Sequence, residues 1–373
     1  MKKYISPLVL FFSCFMAFSQ QYEFKTVVDL EATHVISQGN TGTCWSFSTT
    51  SYLESEIIRL TGKPIDLSEM YTVRQTYPAK AWNYVMRQGN AQFGQGGLAH
   101  DVINSAREYG LVPESAYSGL LNGSTHHNHS EFVPVLKSVL DTYIENPGRE
   151  LSPKWKALVE NILDLYLGKK VEQFNYEGVQ YTPQSFLEMT QLDLDAYVSL
   201  TSFTHQPYYS SFILNIPDNF SNGSFYNVTL DELISTIESA LNNGYTVELD
   251  CDVSEKTFSA KNGVAVIPAD ETKQKDILTE IESEKQITAE FRQQEFENYN
   301  TTDDHLMHIT GLVKDQKGNT YFKVKNSWGT DESRVANGGY VYMSVPYMRL
   351  KTISILLHKE AISKELRKKL KIN

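Results

Sequence analysis

Apolar positions recur at helical spacing in the first half of the chain and in strand-like runs in the second. Leu53, Ile57 and Leu60 mark a helix over residues 45–60, ended by Gly62 and Pro64. A second helix is predicted over 98–109, stopped by Gly110. Residues 120–128 read as loop, and Leu158, Ile162, Leu165 and Leu167 give a helix over 155–167. Another helix is expected over 230–241, ended by Asn242, Asn243 and Gly244, with a strand following over 245–251. The charge-dense stretch 273–299 reads as a solvated helix. Strands are then predicted over 308–313, 321–325, 339–345 and 352–358, the first two joined as a hairpin at Gly318-Asn319. A helix-rich half followed by a strand-rich half predicts an α+β chain with its site in the cleft between them.

Composition narrows the partners. The 373 residues can bury a large core, and 41% hydrophobic content is ordinary for a globular protein. A net charge of −11 argues against nucleic acid or an anionic membrane surface, since both need a basic face. His126, His127 and His129 lack a neighbouring acidic or Cys framework, so no metal and no cofactor is expected. The six N-x-S/T triplets, from Asn122 to Asn300, matter only if the host glycosylates exported proteins.

The N-terminus reads as a processing signal. Lys2 and Lys3 form a positive region, residues 8–18 form an apolar run too short to span a bilayer, and Ala17-Phe18-Ser19 offers small residues for cleavage. Residues 1–19 are therefore expected to be a signal peptide, and the mature chain periplasmic or secreted. Lipidation at Cys14 is the alternative, though Phe11-Phe12-Ser13 departs from the usual lipid-attachment pattern. Of three cysteines, Cys44 and Cys251 would remain, both as free thiols, with Cys251 a buried strand residue.

The chemistry lies in three pieces. Gln38-Gly39-Asn40-Thr41-Gly42-Thr43-Cys44-Trp45 opens the first helix; Asp304-His305 and Lys325-Asn326-Ser327-Trp328-Gly329 lie far downstream. A Cys, a His and an Asn in that order read as a nucleophile, its base and the base's orienter. A Cys at a helix N-terminus beside an imidazolium is expected to be a thiolate, with a pKa as low as roughly 3–4. His308 competes with His305 for the base role; the Asp304-His305 pair with Gly311 favours His305, leaving His308 to the core or a sheet face.

Together these motifs resemble the papain-like cysteine peptidases. The resemblance implies a two-lobed α+β fold, with a helical N-terminal lobe and an antiparallel, β-barrel-like C-terminal lobe. It implies that Cys44, His305 and Asn326 are catalytic, that Gln38 and the Cys44 amide bind the oxyanion, and that Trp328 shields the His–Asn bond. Gly94-Gln95-Gly96-Gly97 resembles the family's cleft-lining glycine segment, which makes Gly96 and Gly97 substrate-binding residues. Peptides are the implied substrates, with no membrane span.

The chain departs from papain itself. Thr41 and Gly94 stand where papain-like endopeptidases usually have a paired Cys, and Gly97 to His305 is far longer than in a minimal fold. These departures resemble the bleomycin hydrolase and aminopeptidase C branch, as do Tyr181-Thr182-Pro183, Tyr226-Asn227 and Val247-Glu248-Leu249-Asp250-Cys251-Asp252-Val253. Such a chain would have a helical lobe over about 33–120, a large mainly helical insertion over about 121–228 and a β-rich lobe over about 229–360, all within a peptidase domain of residues 20–373. In that branch the C-terminal tail blocks one side of the cleft and makes the enzyme an aminopeptidase. Here the tail, Leu366 to Asn373, is basic and altered, which leaves strict aminopeptidase action and the family's hexameric ring without sequence support. If the tail carboxylate does not reach the substrate's ammonium, an acidic residue of the insert could replace it, with Asp252 a weak candidate. The competing readings are a papain-like endopeptidase, a non-catalytic peptide-binding relative and another Cys–His acyl-transfer enzyme. A binding module has no need of all four site residues. Acyl-transfer enzymes usually carry Asp where Asn326 stands.

Overall fold

The computed structural model describes residues 21–145 and 150–373. The signal-peptide and Cys14 expectations therefore lie outside the described residues.

The first half is helical. Its elements are α1 (Cys44–Thr61), α2 (Glu69–Met86), α3 (Ala99–Tyr109), α4 (Phe132–Glu145) and α5 (Lys154–Leu167), preceded by the strand β1 (Lys25–Asp29). Next come the hairpin β2 (Phe174–Tyr176) and β3 (Val179–Tyr181), the short helix α6 (Pro183–Met189), and strands β4 (Tyr197–Thr201), β5 (Ser211–Ile213) and β6 (Ser224–Asn227). The remainder is α7 (Leu230–Asn242), β7 (Val247–Cys251), β8 (Phe258–Ser259), β9 (Val264–Ala265) and α8 (Ala289–Glu297). It continues with β10 (His305–Lys314), β11 (Thr320–Lys325), β12 (Tyr340–Ser344), α9 (Val345–Lys351), β13 (Thr352–His358) and α10 (Lys364–Leu370).

The predicted helices over 45–60, 98–109 and 230–241 form within a residue or two of their expected ends. Gly62 closes α1 in the left-handed conformation, and Thr229 caps α7 by accepting from Glu232 N. The helix over 155–167 forms too, but it buries a different face. Trp155, Val159, Leu163 and Leu167 point inward at steps of four, while Leu158 and Leu165 are exposed. Helix α2 was not predicted. It mixes Tyr, Arg, Gln and Lys with Pro78 inside, and it is buried nearly all round, so no apolar stripe marks it. Its buried Arg74 is paired with Glu160 at 2.8 Å and Asp164 at 2.7 Å on α5. Helix α4 was likewise unread.

The charged stretch 273–299 is helical only over α8 and one three-residue turn, Asp276–Leu278. Glu284 interrupts it: its carboxylate accepts from Ile267 N (2.8 Å) and Ser344 Oγ (2.5 Å), which ties the backbone alongside Pro268.

The strands of the second half do not close on themselves. Together with β4, β5 and β6 they form one open sheet in the order β5-β6-β4-β13-β7-β10-β11-β12-β9-β8, with β1 beside β10. No closed barrel exists among the described residues, because β5 and β8 end the sheet unjoined. The expected hairpin joins β10 to β11: Asp315 Oδ1 accepts from Lys317 N and Asn319 N, each at 2.9 Å, across a turn with Gly318 at φ +88°.

The central strands carry a core on each face. On β7, Val247, Leu249 and Cys251 face α7 and α9. Glu248 and Asp250 alternate to the opposite face, where Ser48 Oγ of α1 donates to Glu248 Oε1 at 3.3 Å. Cys251 is thus a buried small residue, as expected. Helix α10 docks through Leu366 and Leu370 on the α7 side. The C-terminal tail therefore packs on the face of the sheet away from Cys44.

Candidate active site

Cys44 is the first residue of α1, where the early backbone N–H groups have no carbonyl partner within the helix. Helix α1 lies across β10, so the first residues of that strand meet the helix start. The Leu306 backbone N–H reaches the Cys44 sulfur, one residue beyond His305.

His305 Nε2 donates to Asn326 Oδ1 at 2.8 Å. The same oxygen accepts from Ser327 N at 2.8 Å, which fixes the amide's orientation. In neutral His305 the proton consequently sits on Nε2, and Nδ1 keeps its lone pair. Trp328 stacks at 34° to the His305 ring, with centroids 5.0 Å apart, and Phe258 meets Trp328 edge-on. These aromatic groups pack beside the His305 ring.

Gln38 is held by the same segment. Its backbone N donates to Ser327 O (2.9 Å), and its side-chain Oε1 accepts from Ser327 Oγ (2.6 Å). Gln38 Nε2 donates to Thr41 O at 2.7 Å, leaving its second hydrogen free for an oxyanion. Ser327 is thus a support that sequence reading overlooked. Its only signal was its place inside the Asn-Ser-Trp-Gly run.

The glycine segment is pinned beside the nucleophile. Trp45 Nε1 donates to Gln95 O (2.9 Å), and Gly42 N donates to Gln95 Oε1 (2.6 Å). Gly97 lies against the Trp45 indole. Gly96 is covered by the Asp218 carboxylate, which would overlap any side chain there. Asp218 lies between β5 and β6 and gave no sequence signal.

His308 is separate from this group. It is fully buried on β10, within hydrogen-bond distance of Ser51 Oγ (3.0 Å) and edge-on to Tyr52. It has the core role expected of it. Asp252 is structural as well. It is buried near Lys351 (3.7 Å) and accepts from Ser254 N and Thr302 N, so it is no candidate for holding a substrate. Residues 126–129 hold no metal cluster; among the described residues no group of His, Cys, Asp and Glu is placed to do so.

Burial acts against the expected thiolate, while the Leu306 backbone N–H favours it. Burial pushes the Cys44 thiol up to about 12, and burial holds the His305 imidazole down at about 4. Desolvation penalises a lone charge on either group, so the charged form that burial opposes least is the pair made by transfer of the Cys44 proton to His305.

Residues 163–373, more than half the chain, match the peptidase C1-like family, and residues 20–130 match the papain family of cysteine proteases. The chain belongs to the peptidase C1-like family. This C1-like peptidase is 24% identical to aminopeptidase C of Listeria monocytogenes over 377 residues, covering 89% of this chain and 81% of the relative. It is 24% identical to the mitochondrial cysteine proteinase 1 of Saccharomyces cerevisiae, with 93% and 79% covered. Aminopeptidase G of Lactobacillus delbrueckii subsp. lactis is 23% identical, with 90% and 83% covered. In fold, the C1-like peptidase is similar to the crystal structure of PepW from Lactobacillus rhamnosis HN001. The TM-score is 0.75 at 18% identity, covering 93% of this chain and 84% of that one.

Proposed function

We propose that this cysteine peptidase is an aminopeptidase, with Cys44 as nucleophile, His305 as base and Asn326 as the orienting residue. The observation that carries the assignment is the His305 Nε2–Asn326 Oδ1 bond at 2.8 Å, which leaves Nδ1 bare at the start of β10 beside the α1 N-terminus. Names of relatives, aminopeptidase C and aminopeptidase G, favour exopeptidase action.

Each step follows from these positions. The Cys44 proton moves to His305 Nδ1 as sulfur attacks the peptide carbonyl carbon. The new oxyanion accepts from the Cys44 backbone N–H and the free Gln38 Nε2 hydrogen. The C–N bond breaks as His305 returns its proton to the leaving amine, leaving a thioester on Cys44. A water then gives its proton to His305 and attacks the thioester, releasing the acid and restoring the thiol. The test is hydrolysis of alanyl-aminomethylcoumarin against its N-acetylated copy. A kcat/KM ratio well above one is expected, and a ratio near one would reject exopeptidase action.

Export is proposed on the sequence of residues 1–19 alone. Terminal sequencing of protein from the envelope or medium is expected to begin at Gln20 or Gln21. An intact chain in the cytosol, or lipid on Cys14, would contradict it.

A further inference from the structure

A group of carboxyls stands beside the nucleophile, and catalysis as described has no use for it. Asp250 on β7 lies directly opposite Leu306 on β10 and opposite Ser354 on β13. Cross-strand partners share a face, so Asp250 faces the side on which Leu306 meets Cys44. It is 1% exposed; Oδ2 accepts from Ser354 Oγ at 3.2 Å, and the carboxyl shares a hydrogen bond with Asp303. Asp303 lies two residues before His305 and adjoins Asp250. Both of its carboxylate oxygens are buried, and its hydrogen-bond partners are the Asp250 carboxyl and the Asp218 backbone N–H, within the group itself. Asp218 completes the group from the β5–β6 connection, seated on Gly96 and accepting from Gln92 Nε2 at 2.8 Å. All three carboxyls act electrostatically on the Cys44 sulfur.

Few cations answer this charge. Lys80 donates to Gly96 O and stands near Asp218 and Asp101, but it is within ion-pair distance of neither Asp250 nor Asp303. Glu248, two residues from Asp250 on the same face, is a further carboxyl, and burial pushes it well above the ordinary carboxylate range. Burial and the neighbouring carboxylates push Asp303 up to about 7, and they push Asp250 well above the ordinary carboxylate range. Buried carboxyls with no cation beside them are costly to keep in a folded protein.

We propose that Asp250, Asp303 and Asp218 form an acidic pocket that binds a cationic group of the peptide substrate just upstream of the scissile bond. The inference deepens the aminopeptidase reading and rests on Cys44 being the nucleophile. Asp218 covers the glycine segment at Gly96 and so obstructs main chain running past that point. The group brought there is then the substrate's α-ammonium. The tail carboxylate is not available for this task, since α10 docks on the opposite face of the sheet. A Lys or Arg side chain one residue upstream presents the same chemistry, and the experiment separates the two sources.

The test uses the full chain and four aminomethylcoumarin amides: alanyl, acetyl-alanyl, acetyl-lysyl-alanyl and acetyl-norleucyl-alanyl. The kcat/KM ratios of cationic to neutral partner are read within each variant, so a general loss of active protein cancels. In Asp250→Asn/Asp303→Asn the cationic preference is expected to drop by roughly 10- to 100-fold, mostly in KM, as for loss of a charge-assisted hydrogen bond. Asp218→Asn is expected to give a smaller drop. A preference for alanyl over acetyl-alanyl that survives in the folded double variant overturns the pocket and leaves aminopeptidase action standing. A wild-type preference for lysyl alone, lost in the double variant, upholds the pocket and removes the aminopeptidase reading. A wild-type enzyme indifferent to both cations overturns the pocket. Thermal melting reports whether each variant folds. Should the double variant fail to fold, Asp303→Asn alone, at the partly exposed end of the group, carries the same measurement.

Discussion

Asn326 Oδ1 accepts two hydrogens at once, from His305 Nε2 and from Ser327 N, each at 2.8 Å. The backbone bond holds the side chain, and the side chain in turn holds the imidazole. Asn326→Ala removes the ring's orientation but leaves its proton acceptor in place. The expected result is a kcat lowered by about 10- to 10³-fold in a protein that still folds. Steady-state kinetics with a melting curve would check it, and unchanged kcat would refute the orienting role.

Cys44→Ala and His305→Ala are each expected to abolish hydrolysis without loss of fold. His308→Ala acts elsewhere. It strips a buried partner from Ser51, which also accepts from Lys325 Nζ at 2.7 Å. A loss of roughly 1–3 kcal/mol in stability is expected, with kcat largely kept. A folded but inactive His308→Ala, beside an active His305→Ala, would reverse the base assignment.

Deleting Leu366 to Asn373 exposes the apolar surface that Leu366 and Leu370 cover on the α7 face. Stability should fall, by roughly 2–5 kcal/mol for each buried leucine lost. The ratio of free-amine to acetylated hydrolysis should stay unchanged in the protein that remains folded. A ratio that collapses to one would place the tail in the cleft, against its docking here.

Gly96→Ala forces a methyl group into the Asp218 carboxylate. The segment around Asp218 must shift, at roughly 1–3 kcal/mol. Preference for the free amine is expected to weaken. An unaltered preference would mean that the contact between Gly96 and Asp218 has no part in substrate choice.

Stability should also depend on pH in a definite direction. Burial pushes Glu54, Glu114, Glu284 and Asp303 each up to about 7. In the unfolded chain such groups lose their protons near pH 4. Their contribution is therefore complete below about pH 4 and is lost as pH rises through about 7. His129 and His305, held down at about 4 by burial, work oppositely, losing stability as pH falls from about 6.5 towards 4. Above pH 6.5 the histidines are neutral in both states, and the carboxyls act alone. Lys80, held down at about 8 by burial, opposes them only above that pH. Tm is expected to fall between pH 6.5 and 8, and a rise there would contradict these assignments.

Local signals were sufficient for much of this protein. The spacing Leu53–Ile57 and the stop at Gly62 located α1, and with it Cys44 at a helix start. The motifs around Gln38, Cys44, His305 and Asn326 named a reactive group whose members are far apart in the chain, because each motif carries its own local geometry. Helix α2 stayed hidden because tertiary burial, not an apolar stripe, holds its Tyr, Arg and Lys residues in place. The helical phase of α5 was misread because Leu158 and Leu165 are surface residues that a count of apolar positions cannot tell from core. Only the tertiary structure decided that the strands form an open sheet and that the tail docks away from the cleft. It also decided that burial opposes charge on the thiol and the imidazole, since the cost of burying a charge depends on the packing around it. Asp218, Asp250 and Asp303 are single acidic residues separated by 32 and 53 positions. No pattern links them along the chain; cross-strand register and the β5–β6 connection bring them to the nucleophile.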